Sequence, residues 1–257
     1  SFANTGGRIA AGGSLEVNVT GRLASVAGAR DGLAPVMQAL DVTLGGAEVV
    51  TAGLINAGRN ATVTARSGSV SNRATLVAGD SLTVKAATAL DNASGGALLA
   101  TREVSLQAGK GIDNAGLIYG NGAAAQRITL DAGSGAFSNA AGGTVLAESA
   151  LEIRAAGYAN GGMVASRGDA SLNTPSLVLR PASNPLVALG TLRLNVAGIA
   201  VGVGETWVSP ALNTIWSGSL VNTGNVLLGG NAYGSVENLA TGNRILTGEP
   251  NVLDGSY

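Results

Sequence analysis

Three consecutive residues, Arg167, Gly168 and Asp169, form the most recognisable binding motif of this 257-residue chain. Arg-Gly-Asp is the short sequence that many integrins recognise. The carboxylate completes a metal coordination sphere on the receptor, and the guanidinium meets acidic groups there. Glycine between them permits the bend that turns the two side chains apart. Because three residues carry little information alone, their position in the fold decides their meaning.

Residues with catalytic potential are sparse. Gly79-Asp80-Ser81-Leu82 spells the signature of a hydrolase family, but its serine would need a base and the chain has no histidine. The related Gly12-Gly13-Ser14-Leu15 indicates a repeated structural phrase instead. Asp91-Asn92 and Asp113-Asn114 lack the repetitive calcium signature around them. We therefore predict no enzyme, no cofactor and no metal site, and rank a carbohydrate-active protein low because the acidic residues are dispersed.

Composition narrows the class further. A net charge of −1 and scattered arginines give no drive toward nucleic acid. No stretch reaches the roughly 18 apolar residues of a membrane-spanning helix, so we expect no membrane insertion. The absence of cysteine excludes disulfides and is compatible with a chain that stays unlocked while it crosses membranes.

Two phrases recur along the chain. The first has a short apolar run ending in alanine and then an apolar-x-apolar strand, as in IAAGGSLEV from Ile9, LVAGDSLTV from Leu76, LLATREVSL from Leu98 and VLAESALEI from Val145. The second centres on an asparagine followed by glycine, near Asn4, Asn92, Asn114, Asn139 and Asn160. From Asn72 to Asn160 the spacings are 20, 22, 25 and 21 residues. A period near twenty with two short strands per period is typical of a stacked solenoid.

The alternation of apolar residues selects the kind of solenoid. Leu82-Thr83-Val84 and Leu151-Glu152-Ile153 have the period of a strand, which excludes helical repeats. We predict an all-β fold, a right-handed parallel β-helix of about 20-residue coils, with around ten coils in a rod of roughly 50 Å. Asparagine and glycine suit its tight corners, and stacked asparagines can bond one another from coil to coil.

The chain is predicted to be a single β-helical shaft segment over 1–257. Irregular or extra-helical excursions are expected near 22–50 and 181–215, because prolines such as Pro35 and Pro185 cannot occupy an interior ladder position without losing a hydrogen bond.

The alternating LxNxxGxIxA and LxLxA phrases resemble the haemagglutinin repeats of the two-partner-secreted adhesins, the filamentous haemagglutinin family. The resemblance covers residues 1 to 20, 54 to 195 and 218 to 246. It implies a bacterial exoprotein, secreted or held at the cell surface, that is exported through an outer-membrane transporter partner and adheres to host cells. The family's amino-terminal NPNGI and NPNL sequences are missing, since Asn184-Pro185-Leu186 is only a fragment, so an internal shaft segment is expected.

The repeats also place the binding motif. Aligning Met163-Val164-Ala165 with Leu76-Val77-Ala78 puts Arg167, Gly168 and Asp169 in a corner between strands, and predicts a corner longer than that between Ala78 and Leu82. In the resembled family an Arg-Gly-Asp sequence is implicated in leukocyte integrin binding. We therefore predict a monomeric fibre segment that presents this turn to a host cell-surface receptor, an integrin first and glycans second. The alternative is a purely structural spacer of a large adhesin or contact-dependent toxin with an inert Arg-Gly-Asp.

Overall fold

The computed structural model describes residues 1–27, 34–120, 122, 126–179, 186–190, 192–201, 206–209, 212–222, 225–229, 232–238 and 243–247. Every regular element in these residues is a β-strand, and every strand pairing is parallel. The strands stack as a β-solenoid of about eight turns with about 21 residues per turn. The predicted parallel β-helix and its period are thereby confirmed.

Each coil begins with a short strand in an eight-stranded sheet, here called the narrow sheet. Its strands, in order, are β1 (Phe2–Thr5), β4 (Leu23–Val26), β6 (Val49–Thr51), β8 (Val70–Asn72), β11 (Leu90–Asn92), β14 (Ile112–Asn114), β17 (Ala136–Asn139) and β20 (Gly157–Asn160).

The rest of each coil contributes to an 18-stranded sheet that bends into two faces. The first face contains β2 (Arg8–Ala10), the start of β5 (Val36–Gly46), the start of β7 (Leu54–Ala65), β9 (Thr75–Ala78), β12 (Ala97–Ala100), β15 (Leu117–Gly120), β18 (Thr144–Ala147), β21 (Met163–Ser166) and β23 (Leu186–Ala188). The second face contains β3 (Ser14–Asn18), the ends of β5 and β7, β10 (Ser81–Ala86), β13 (Glu103–Ala108), β16 (Arg127–Asp131), β19 (Ala150–Arg154), β22 (Asp169–Leu179), β24 (Leu192–Val201), β26 (Leu212–Asn222) and β28 (Ala232–Asn238).

A separate three-stranded sheet follows β24 in the chain. It consists of β25 (Thr206–Ser209), β27 (Asn225–Gly229) and β29 (Asn243–Thr247). No helix in the described residues is long and apolar enough to cross a membrane.

The core consists of columns of side chains that occupy the same register position in successive coils. On the second face one inward column contains Ala61, Leu82, Val104, Ile128, Leu151 and Ala170, all at most 2% exposed. Small aliphatic side chains fill these columns because every coil must repeat the same cross-section. This packing explains why the chain needs so few aromatics.

Asparagines form a second internal column at the end of the narrow sheet. The side-chain amide of Asn72 donates to Asn92 Oδ1 at 2.8 Å, and the chain continues to Asn114 at 2.7 Å, Asn139 at 2.7 Å and Asn160 at 2.8 Å. All five are buried. The predicted coil-to-coil bonding is confirmed, and a left-handed glycine, Gly95 with φ of 83°, turns the chain beyond Asn92.

Strands also lie inside the two predicted excursions. Near 22–50, β4, β5 and β6 pair within the sheets, and Met37 is fully buried. Near 181–215, β23 and β24 pair with the preceding coil. Residues 28–33, 180–185 and 202–205 lie outside the described residues, so an excursion there stays a prediction.

Candidate functional site

The Arg-Gly-Asp sequence lies in the corner that joins the first face to the second, between β21 and β22. Ser166 pairs with Ala147, and Ala170 pairs with Leu151. Three residues therefore separate the two inward positions, the same number that Gly79, Asp80 and Ser81 supply between Ala78 and Leu82 in an earlier coil.

The prediction of a longer corner was wrong by one position. The inward residue that ends β21 is Ser166, which is 1% exposed, and not Ala165. Aligning alanine with alanine displaced the register, because this coil has a serine where its neighbours have alanine. The Ser166 hydroxyl stays satisfied, donating to Ser149 O at 3.4 Å and accepting from Gly168 N–H at 3.3 Å.

Both charged side chains of the motif are exposed, while the backbone between them is fixed. The Arg167 side chain is 64% exposed, and Asp169 is also exposed. Arg167 N–H donates to Ala147 O at 2.9 Å, and Gly190 N–H donates to Gly168 O at 2.9 Å. The motif is thus part of the coil-to-coil ladder and does not bulge away from it.

Gly168 is required by this close stacking. A Cβ added there would lie 1.9 Å from Ser149 O in the preceding coil. A backbone carbonyl cannot move aside as a flexible side chain can. Only glycine therefore fits without a shift of the corner.

The guanidinium of Arg167 is held by Glu148. Arg167 Nη1 lies 3.0 Å from Glu148 Oε2, and the Glu148 side chain is only 15% exposed. Tyr119 donates its hydroxyl proton to Glu148 Oε1 at 3.0 Å, and Glu148 N–H donates to Gln126 Oε1 at 2.9 Å. The hydrogen bond to Glu148 raises the pKa of Tyr119. These partners were not predicted from the sequence, although Glu148 follows Ala147 just as Arg167 follows Ser166 one coil later.

Ion pairs of the same kind recur along the corner between the first and second faces, here called the charged corner. Asp41 pairs with Arg59, Asp80 with Arg102 at 2.8 Å, and Glu148 with Arg167. Each pair joins a carboxylate to an arginine of the following coil. The hydrogen bond from Arg59 lowers the pKa of Asp41. Because the arginines are more than half exposed, solvent screening keeps each pair weak.

A shallow depression of about 260 Å³ adjoins the motif on the second face. Its polar lining is Arg127, Glu152, Asp169 and Ser171. Glu152 Oε1 lies 2.6 Å from Arg154, so this carboxylate is engaged in an ion pair. The volume is smaller than that of ordinary ligand pockets. Among the described residues no group of three or more acidic, histidine or cysteine side chains is placed to hold a metal ion.

Comparison of the chain with protein-family models, with curated proteins and with solved structures found no match in any of the three. The fold therefore rests on the strand pairings, and any family assignment rests on the repeat phrases.

Proposed function

We propose that this chain is a shaft segment of a secreted or surface-held bacterial adhesin of the two-partner-secreted class, and that it displays Arg167 and Asp169 to a host cell-surface receptor. The observation that supports the receptor contact is the exposure of both charged side chains on a backbone locked into the ladder, whereas the assignment to this class rests on the repeat phrases alone. A ligand held in one conformation loses little conformational entropy on binding.

The proposed mechanism is exchange of partners at the charged corner. A receptor that binds the motif supplies its own acidic group to Arg167 in place of Glu148, and Asp169 completes a metal site on the receptor. Because the Arg167 side chain is 64% exposed, an acidic group of a receptor can reach its guanidinium from solvent.

The test is adhesion of integrin-bearing leukocytes to the immobilised full chain. Asp169→Glu keeps the charge and lengthens its reach, so it should abolish divalent-cation-dependent adhesion. The matched control is Glu103→Asp. Glu103 occupies the same outward column as Asp169, three coils earlier. We expect Glu103→Asp to adhere like the wild type, and equal adhesion of all three proteins would refute a receptor role for the motif.

A structural spacer is the second candidate function. It is favoured by the internal pairing of Arg167 with Glu148 and by the packing of Gly168 against Ser149 O, both of which give these residues a role in stacking alone. Cation-independent adhesion, or none, with unchanged folding of Asp169→Glu would support the spacer and direct the search for adhesive sites to other segments.

A further inference from the structure

One outward column of the first face is apolar over six consecutive strands, apart from the hydroxyl of Tyr119, which donates to Glu148. The next-to-last position of these strands forms a column in register, which we name the apolar column: Val77, Leu99, Tyr119, Leu146, Ala165 and Val187. The first five are half-buried and Val187 is 44% exposed. They alternate with the inward core residues, so they point away from the core.

A neighbouring outward column widens this surface. It reads Thr75, Ala97, Leu117, Thr144 and Met163, so its apolar residues are interrupted by two threonines. Met163 is 47% exposed and Leu117 is half-buried. The second face differs, because its equivalent outward column reads Thr62, Thr83, Ser105 and Thr129. A continuous apolar outward column is thus a feature of the first face and not of the second, and a contiguous apolar patch of this kind is a candidate interaction surface.

The period of the apolar column restricts what can cover it. Its side chains repeat at the strand spacing, about 4.8 Å. A second copy of the same column has the same repeat, so the side chains of two copies can interdigitate along its whole length, as facing sheets do at about 10 Å separation. A two-fold axis would close the pair and satisfy both faces at once.

The charged side chains beside the apolar column allow two identical columns to face each other. The column borders the charged corner, where Arg102 and Arg167 are already paired with Asp80 and Glu148 of their own chain. Two copies therefore meet without opposing unpaired charges of one sign. The column itself contains no lysine or arginine with which to attract anionic lipid headgroups.

The area sets the strength of the contact. Six strands at about 4.8 Å and four residues at about 3.3 Å give a footprint of about 380 Å² per copy, or about 760 Å² for the pair. This is below the roughly 1,200–2,000 Å² that a stable specific interface buries, so the association should be weak and reversible.

We propose that the apolar column binds the apolar column of a second copy, giving a side-by-side pair of shafts. The sequence alone had led us to expect a monomeric fibre segment. A longer shaft that repeats the column would strengthen the pairing in proportion to its length.

Sedimentation velocity of the full chain from about 5 to 200 µM tests this pairing, because the small interface predicts dissociation in that range. The weight-average mass of the wild type should rise from 25.0 kDa toward twice that value. Leu99→Glu places a carboxylate in both facing columns and should weaken pairing at least about tenfold. Ser105→Glu, outward on the second face of the same coil, should pair like the wild type. Circular dichroism and melting confirm that each variant is folded.

A cross-linking measurement covers the case in which Leu99→Glu fails to fold. Since the chain has no cysteine, Leu146→Cys and Thr129→Cys each carry a single thiol. A short bis-maleimide should give a covalent dimer from Leu146→Cys and not from Thr129→Cys. A wild type that stays at 25.0 kDa throughout, or equal cross-linking of both variants, overturns the proposal. A monomer that co-sediments with phosphatidylcholine vesicles through Leu99 overturns it in favour of lipid.

Discussion

At the scale of single residues, Gly168 shows how strongly stacking limits the choice of side chain. Gly168→Ala should lower the free energy of unfolding by about 1–3 kcal/mol, because the added Cβ meets Ser149 O at 1.9 Å. Gly13 occupies the same corner position before Ser14, and a Cβ there meets nothing within 4 Å. Gly13→Ala should therefore change stability little. Urea denaturation of both variants is the measurement, and equal midpoints would contradict a steric role for Gly168.

The steric role of Gly168 affects the choice of variant for adhesion assays. A loss of adhesion in Gly168→Ala reports a displaced corner as well as a changed ligand. Asp169→Glu is the cleaner probe, since Asp169 is exposed and lies outside the core.

Tyr158 gives the chain a titratable group whose hydroxyl oxygen is buried. Its ring stacks on Phe137 with centroids 5.9 Å apart, and burial raises the pKa of the hydroxyl. The unfolded chain loses this proton near pH 10 while the folded chain retains it. Stability from this group is therefore complete below about pH 10 and declines as the pH rises further.

Tyr158→Phe removes that proton and should flatten the alkaline decline. Melting temperatures at pH 8 and pH 11 give the comparison: we expect similar values at pH 8 and a smaller fall for the variant at pH 11. Parallel falls in the two proteins would show that other groups dominate alkaline unfolding.

At the scale of elements, the asparagine column links the narrow-sheet strands. Asn114 accepts from Asn92 at 2.7 Å and donates to Asn139 at 2.7 Å and to Gly116 O at 3.2 Å. Asn114→Ala leaves buried polar atoms without partners on both sides and should destabilise the chain by about 2–4 kcal/mol. Asn56→Ala, on the outward side of β7, is the control and should cost less than about 0.5 kcal/mol. A shift of the denaturation midpoint of similar size in both would contradict a structural role for the column.

The elements also show how far sequence reasoning extends. The spacing from Asn72 to Asn160 and the alternation at Leu82-Thr83-Val84 predicted the solenoid, because both repeat once per coil. The register at Ser166 was predicted wrongly, because a serine occupies the position that was aligned on alanine. The ion pair between Arg167 and Glu148 and the hydrogen bond from Tyr119 to Glu148 were not predicted. The three residues lie in three different coils, and only the coil lengths bring them together.

At the scale of the whole molecule, stability should vary along the stack. β10 pairs with strands on both sides, and its Leu82 and Val84 are fully buried. Within the described residues β3 pairs only with β5, and its Leu15 and Val17 are half-buried. In a solenoid each coil gains stability from its neighbours, so a coil with one neighbour opens at lower free energy.

Hydrogen exchange measured by mass spectrometry on this 257-residue chain tests that gradient. Amides of β3 should exchange at least about tenfold faster than those of β10, which corresponds to a difference of about 1.4 kcal/mol in opening free energy. The pairing proposed for the apolar column adds a second signature: raising the protein concentration should slow exchange in β12 and β18 of the first face more than in β13 of the second. Uniform protection of β3 and β10 would instead mean that the described coils open only together, as one cooperative unit, because neighbour contacts outweigh the local differences in burial.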